Sequence, residues 1–150
     1  MAFLKGINKA VDIPVTVSLD LLDEQDNPVK IDIHPIVSYK RFKRTEARKV
    51  QIEVAKISKE AADAFEAGDI AALFGERLQY FDDLLADSII TWRKMPGAED
   101  EDVPFSKEAL AEAIEDSAYY EGLMAGLRKA LGWGGVEEPV GSEAVESKNS

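Results

Sequence analysis

The hydrophobic period changes along this chain, and that change limits its fold more than any other feature. The period is two between Ile13 and Ile33, and three to four from about Thr45 onward. Ile13, Val15, Val17 and Leu19 alternate with Pro14, Thr16, Ser18 and Asp20, which makes one strand face apolar and the other polar. Pro14 limits the start of that strand or places it at an edge. After the polar turn Asp23-Glu24-Gln25-Asp26-Asn27-Pro28, the alternation resumes with Val29, Ile31 and Ile33 against Lys30, Asp32 and His34. Two such runs around a turn predict an antiparallel hairpin. Pro35 stops the second strand, and Ile36-Val37-Ser38-Tyr39 offers a short third one.

The rest reads as helix. Val50, Val54, Ile57, Ala61, Ala64 and Phe65 form one stripe from about Thr45 to Ala67. Gly68 closes that helix as a left-handed cap, and Asp69 caps the next. There Ile70, Leu73, Phe74, Leu78, Phe81, Leu85 and Ile89 make a wider stripe predicted to reach Trp92, with Gly75 weakening its first half. Residues 93 to 104 are a loop with Pro96-Gly97 and an acidic run. Ser106 then caps a helix that has Glu108 in its first turn. Leu110, Ile114, Ala118, Leu123, Leu127 and Leu131 continue the apolar face, with a break expected near Gly122. Strands followed by helices predict the α+β class: an N-terminal antiparallel β-hairpin, extendable to three strands, and a mostly helical body of about four helices. Residues 1–133 are expected to form a single domain. Residues 134–150 are expected to be a flexible acidic tail, because Gly, Ser, Glu and Val there bury too little to offset ordering entropy.

Composition removes several function classes. With 150 residues and 45% hydrophobic side chains, the chain suits one globular domain. It has no cysteine, so disulfide frameworks, thiolate metal sites and cysteine nucleophiles are excluded. Its 29 acidic and 18 basic side chains leave a net charge of -11. That balance disfavours general nucleic-acid binding and anionic membrane surfaces. No apolar run approaches the roughly 18–20 residues of a membrane span. The N-terminal stretch is broken by Lys5, Gly6, Asn8, Lys9 and Asp12, unlike a secretory signal. The chain is therefore expected in the cytoplasm where it is made.

No residue pattern announces catalysis. His34 is the only histidine, it lies on the polar phase of a strand, and no G-x-S-x-G element accompanies it. Glu99-Asp100-Glu101-Asp102 lacks the ligand spacing and central glycine of a calcium loop, so it reads as solvated charge. Gly132, Gly134 and Gly135 follow a helix rather than a strand, so they end that helix and cradle no phosphate. No catalytic, cofactor-binding or metal residue is expected, and no cofactor. The segment holding Lys40, Arg41, Lys43, Arg44, Arg48 and Lys49 puts six cations in ten residues of an acidic chain, with Tyr39 and Phe42 interleaved. Such interleaving suits RNA. The local alternative is pairing with residues Glu99–Glu121, which carry nine acids against one lysine, or a surface for a protein partner. Trp92 is expected in the core under the loop, and Trp133 half exposed beyond the last helix.

One segment goes further. Ser88-Ile89-Ile90-Thr91-Trp92, an acidic loop with Gly97, and Val103-Pro104-Phe105-Ser106-Lys107-Glu108-Ala109-Leu110 together resemble the tail assembly chaperones of long-tailed (siphovirus-type) bacteriophages. In that family a helix ends in an apolar-apolar-x-Trp element. A Gly- and acid-rich loop follows, then Pro-Phe-Ser/Thr opening the next helix. A final helix carries small and aromatic residues, as Tyr119, Tyr120 and Gly126 do here. The resemblance covers most of residues 3 to 133, and its specific part about 25 of them. The dense basic segment and the long acidic tail depart from the family pattern, which has no fixed contact site there.

The resemblance implies a non-enzymatic protein made in the infected host's cytoplasm and absent from the mature virion. It would coat the tape measure protein and recruit tail tube protein, with no nucleic-acid or membrane partner. Many members also have a longer form made by ribosomal frameshifting. Lys148-Asn149 can be encoded within a slippery heptanucleotide, so the gene sequence tests that point. From this chain's own residues, Tyr119, Tyr120, Leu123 and Trp133 are the candidate partner-binding anchors. Two other classes fit the composition: an acidic protein-binding adaptor or regulator of phage or bacterial origin, with one stoichiometric partner, and a small hydrolase dependent on His34.

Overall fold

The computed structural model describes residues 10–68 and 76–133. The expectations placed on residues 1–9, on Asp69, Ile70, Leu73, Phe74 and Gly75, and on the tail 134–150 lie outside the described residues. The fold is α+β. In chain order it runs β1 (Ala10–Pro14), β2 (Val17–Leu22), β3 (Pro28–Ile33), β4 (Ile36–Lys40), α1 (Arg44–Glu66), α2 (Glu76–Ser88), β5 (Ile89–Arg93), α3 (Lys107–Ile114) and α4 (Ser117–Ala130). Strands β1, β4 and β5 form one antiparallel sheet with β4 at its centre, and β2 and β3 form a separate hairpin.

The alternating run from Ile13 to Leu19 is thus two strands. Pro14 pairs with Ile36 in the first sheet, and Val17 pairs with Ile33 in the hairpin. The ladder breaks opposite Pro35, which has no N–H to donate, although its carbonyl still accepts from Val15 at 3.0 Å. Side-chain alternation survives the break. Ile13, Val15 and Val17 are all buried in one core. The hairpin turn is closed by Asp23, whose Oδ1 accepts from the Gln25 and Asn27 amides at 2.8 and 2.9 Å. Those amides, Asn27 first, hold its carboxyl below the usual range.

The third strand proposed at Ile36 is β4. The fifth strand overturns the expectation that α2 continues to Trp92. The helix stops at Ser88, whose hydroxyl donates to the Leu84 carbonyl at 2.6 Å, and the chain enters β5. Thr91 pairs with Ser38 but Ile89 pairs with Tyr39, so Ile90 is an unmatched bulge residue. The bulge puts Ile89 and Trp92 on the same buried side.

Helix α4 lies against β1, β2 and β4. Two glycines permit that approach. A Cβ at Gly122 would lie 2.7 Å from the Thr16 carbonyl oxygen, and one at Gly126 would meet the Tyr39 hydroxyl and lie 2.7 Å from Val15 Cγ1. Gly122 therefore does not break the helix. The break comes earlier, at Glu115–Asp116, where Asp116 caps α4 by accepting from the Ala118 amide at 2.9 Å. Tyr39 is fully buried and donates to the Leu123 carbonyl at 2.7 Å, and burial raises its pKa far above the ordinary phenol value. Gly68 and Gly132 both take the left-handed conformation just past a helix, as their positions predict. No helix of the described residues is long and apolar enough to cross a membrane.

Candidate protein-binding grooves

Strand pairing builds the first groove. Val17, Leu19 and Leu21 stand opposite Ile33, Ile31 and Val29, so one face of the hairpin is wholly apolar. The other face carries Ser18, Asp20, Lys30 and Asp32. Ser18 donates to Asp32 at 2.8 Å, and Lys30 pairs with Asp20 at 3.4 Å. The base of the apolar face, Val17, Leu19 and Ile33, packs on the core. Its outer half does not: Leu21 is 45% and Ile31 41% exposed.

The two halves of the segment that carries the family resemblance meet beside this face. The Trp92 indole N–H donates to the Val103 carbonyl at 2.9 Å, and its ring meets Phe105 edge-on at 5.0 Å. Between them the loop folds back on itself. The Val103 amide donates to Met95 at 2.7 Å and the Gly97 amide to Glu101 at 2.8 Å, and a Cβ at Gly97 would meet the Glu101 carbonyl at 2.6 Å. Met95 is buried, while Glu99, Asp100, Glu101 and Asp102 are exposed. Ser106 caps α3 as expected, accepting from the Ala109 amide at 3.0 Å. The result is a groove of about 420 Å³ whose apolar lining includes Leu21, Met95, Val103, Ala113 and Tyr119. Glu112 and Asp116 line it as well, both on exposed residues.

A second groove, about 550 Å³, runs between α2 and α4 and is lined by Phe81, Tyr120, Met124 and Arg128 among others. Burial, then the Asp82 carboxylate, raises the Tyr120 hydroxyl's pKa, and burial, then Asp116, does the same for Tyr119.

The four expected anchors therefore separate. Tyr119 lines the first groove and Tyr120 the second. Leu123 is 1% exposed and belongs to the core, which removes it as a surface anchor. Trp133 is half buried against the core, held by its amide donating to the Arg128 carbonyl at 2.8 Å beside Gly132. Leu21, Ile31 and Met95 were missed as site residues. Their period-two or loop positions marked them as apolar, but the packing around them decides that Leu21 and Ile31 stay uncovered while Met95 lies buried at the groove.

The basic segment does not face the acidic loop. Antiparallel pairing of β4 with β5 sends Lys40 out of one end of the sheet and Arg93, with the loop behind it, out of the other. Among the described residues none of the six cations is in a salt bridge. Lys40 lies 5.0 Å from the Phe42 ring centre. His34 is exposed, with Nδ1 3.3 Å from the Thr16 hydroxyl. The chain matches no family model, no curated protein and no solved structure.

Proposed function

We propose that this chain is a tail assembly chaperone of a long-tailed phage, a non-enzymatic protein that holds a helical stretch of the tape measure protein and helps recruit tail tube subunits. One observation supports a protein-binding role above the others. The apolar face of the β2–β3 hairpin is half uncovered, and its Leu19 and Leu21 line the groove formed with the Trp92–Val103 loop, α3 and Tyr119. An amphipathic helix laid in that groove covers Leu21 and Ile31, and Glu112 and Asp116 suit basic residues flanking its apolar stripe. The family resemblance in Ser88–Trp92 and Val103–Leu110 supplies the identity of the client. High net charge fits the role, since it keeps a complex with an aggregation-prone client soluble.

The test is co-expression with the tape measure protein of a long-tailed phage. The wild-type chain should co-purify with it in many copies per client. The pair Leu21→Glu with Tyr119→Ala should lose it while keeping the wild-type helical spectrum. Retention in that variant, but loss with Tyr120→Ala and Trp133→Ala, moves the site to the α2–α4 side. A single one-to-one complex with another protein would favour the adaptor reading instead.

A further inference from the structure

The basic segment is not part of the groove just described, and its geometry calls for an occupant of its own. Arg44, Thr45, Arg48 and Lys49 line a surface recess of about 390 Å³ on α1. At 100° per residue these four share one side of the helix, and Ile52 and Lys56 continue it. The apolar stripe Ala47, Val50, Val54 and Ile57 lies on the opposite side, with Ile57 buried. Ile52 is 61% exposed amid this basic face. Among the described residues Arg44, Arg48, Lys49 and Lys56 are in no salt bridge. In the first turn Arg44 opposes the helix dipole and Glu46 favours it.

We propose that this face of α1 is a docking site for an acidic segment of a partner protein that carries an apolar residue among its carboxylates. Arg44, Arg48, Lys49 and Lys56 match the carboxylates, and Ile52 matches the apolar residue. The rest of the chain decides against a long polyanion. Removing the six cations of residues 40–49 from a net charge of -11 leaves -17 on the remainder, which repels nucleic acid extending beyond the recess. A short acidic peptide stays within it. An exposed isoleucine adds affinity for a protein side chain and has little to offer a phosphate backbone.

The site is separate from the hairpin groove. Helix α1 begins beyond Lys40 and the groove lies beyond Arg93, at opposite ends of the sheet. The chain is thereby built to hold two partners at once, and the second site stands whether or not the client of the first is a tape measure protein.

The experiment uses the full chain and a fluorescent twelve-residue peptide of Glu and Asp with a central leucine, read by anisotropy at 50 mM salt. Binding should be saturable. Arg44→Glu with Arg48→Glu should weaken it at least tenfold; the change at Arg44 favours the helix dipole, and glutamate keeps a good helix former at both positions. Ile52→Ser should weaken the leucine peptide several-fold and leave an all-acidic peptide unchanged. No saturable binding at 50 mM salt overturns the proposal, as does equal affinity in the double variant. A single-stranded RNA of twenty nucleotides that binds more tightly than the peptide, loses affinity in the double variant and ignores Ile52→Ser would make the face a nucleic-acid site and overturn it too.

Discussion

Gly126 is the position where one atom matters most. Its missing Cβ is the space that the Tyr39 hydroxyl and Val15 occupy. Gly126→Ala improves helix propensity by up to about 1 kcal/mol but forces α4 off the sheet, and overpacking costs about 1–3 kcal/mol. A net loss in denaturant midpoint is expected. Leu123 gives a contrast with the tyrosines beside it. It is buried, so Leu123→Ala should destabilise by about 2–5 kcal/mol, and lost client binding in that variant reports unfolding rather than contact. Asp12 sets an acid limit. The Ser38 hydroxyl donates to it at 2.5 Å and Arg93 at 3.1 Å, and together, Ser38 first, they hold its pKa below the usual value of 3.8. A depressed folded pKa means the contribution is present above 3.8 and lost as pH falls through the folded value. Chemical denaturation should show Asp12→Asn less stable than wild type at pH 7, with the gap closing below pH 3.8.

Among the elements, β5 shows how a pattern can misdirect. Leu85, Ile89 and Trp92 follow spacings of four and three, which is a helical stripe. In a regular strand Ile89 and Trp92 would point to opposite faces. The bulge at Ile90 restores them to one side, so a strand reproduces the helical spacing. The competing signal was local: Ile-Ile-Thr-Trp is β-branched and aromatic, which favours a pleated surface. Removing the extra residue tests this. Deleting Ile90 should rotate Trp92 out of the core, break its hydrogen bond to Val103 and shift the tryptophan emission to the red. The α3 cap was read correctly because it needs only neighbours in sequence. Ser106→Ala should cost about 1 kcal/mol, measured in urea.

At the scale of the whole molecule, β4 sets the two proposed sites apart by about 14 Å of strand, with four steps of about 3.4 Å from Ile36 to Lys40. Sites at that separation with no shared side chains act independently to within about 0.5 kcal/mol. A saturating client helix in the hairpin groove should therefore change the acidic peptide's affinity by less than about threefold. Titration calorimetry with and without the helix measures it.

Much of this architecture is legible in the sequence. The α+β order, the hairpin and its turn, the four helices, the Ser106 and Gly68 caps and the inward side of the two alternating runs, Ile13–Leu19 and Val29–Ile33, follow from period and from backbone chemistry, which act over a few residues. Partners act over many, and the sequence carries no local record of them. Which strand Ile13 pairs with, why Gly122 continues a helix, and why Leu123 is core while Tyr119 lines a groove depend on what lies across the contact. The same holds for the charges. Composition shows six cations and nine acids that could neutralise each other, but antiparallel pairing of β4 with β5 sends the basic segment and the acidic loop out of opposite ends of one sheet.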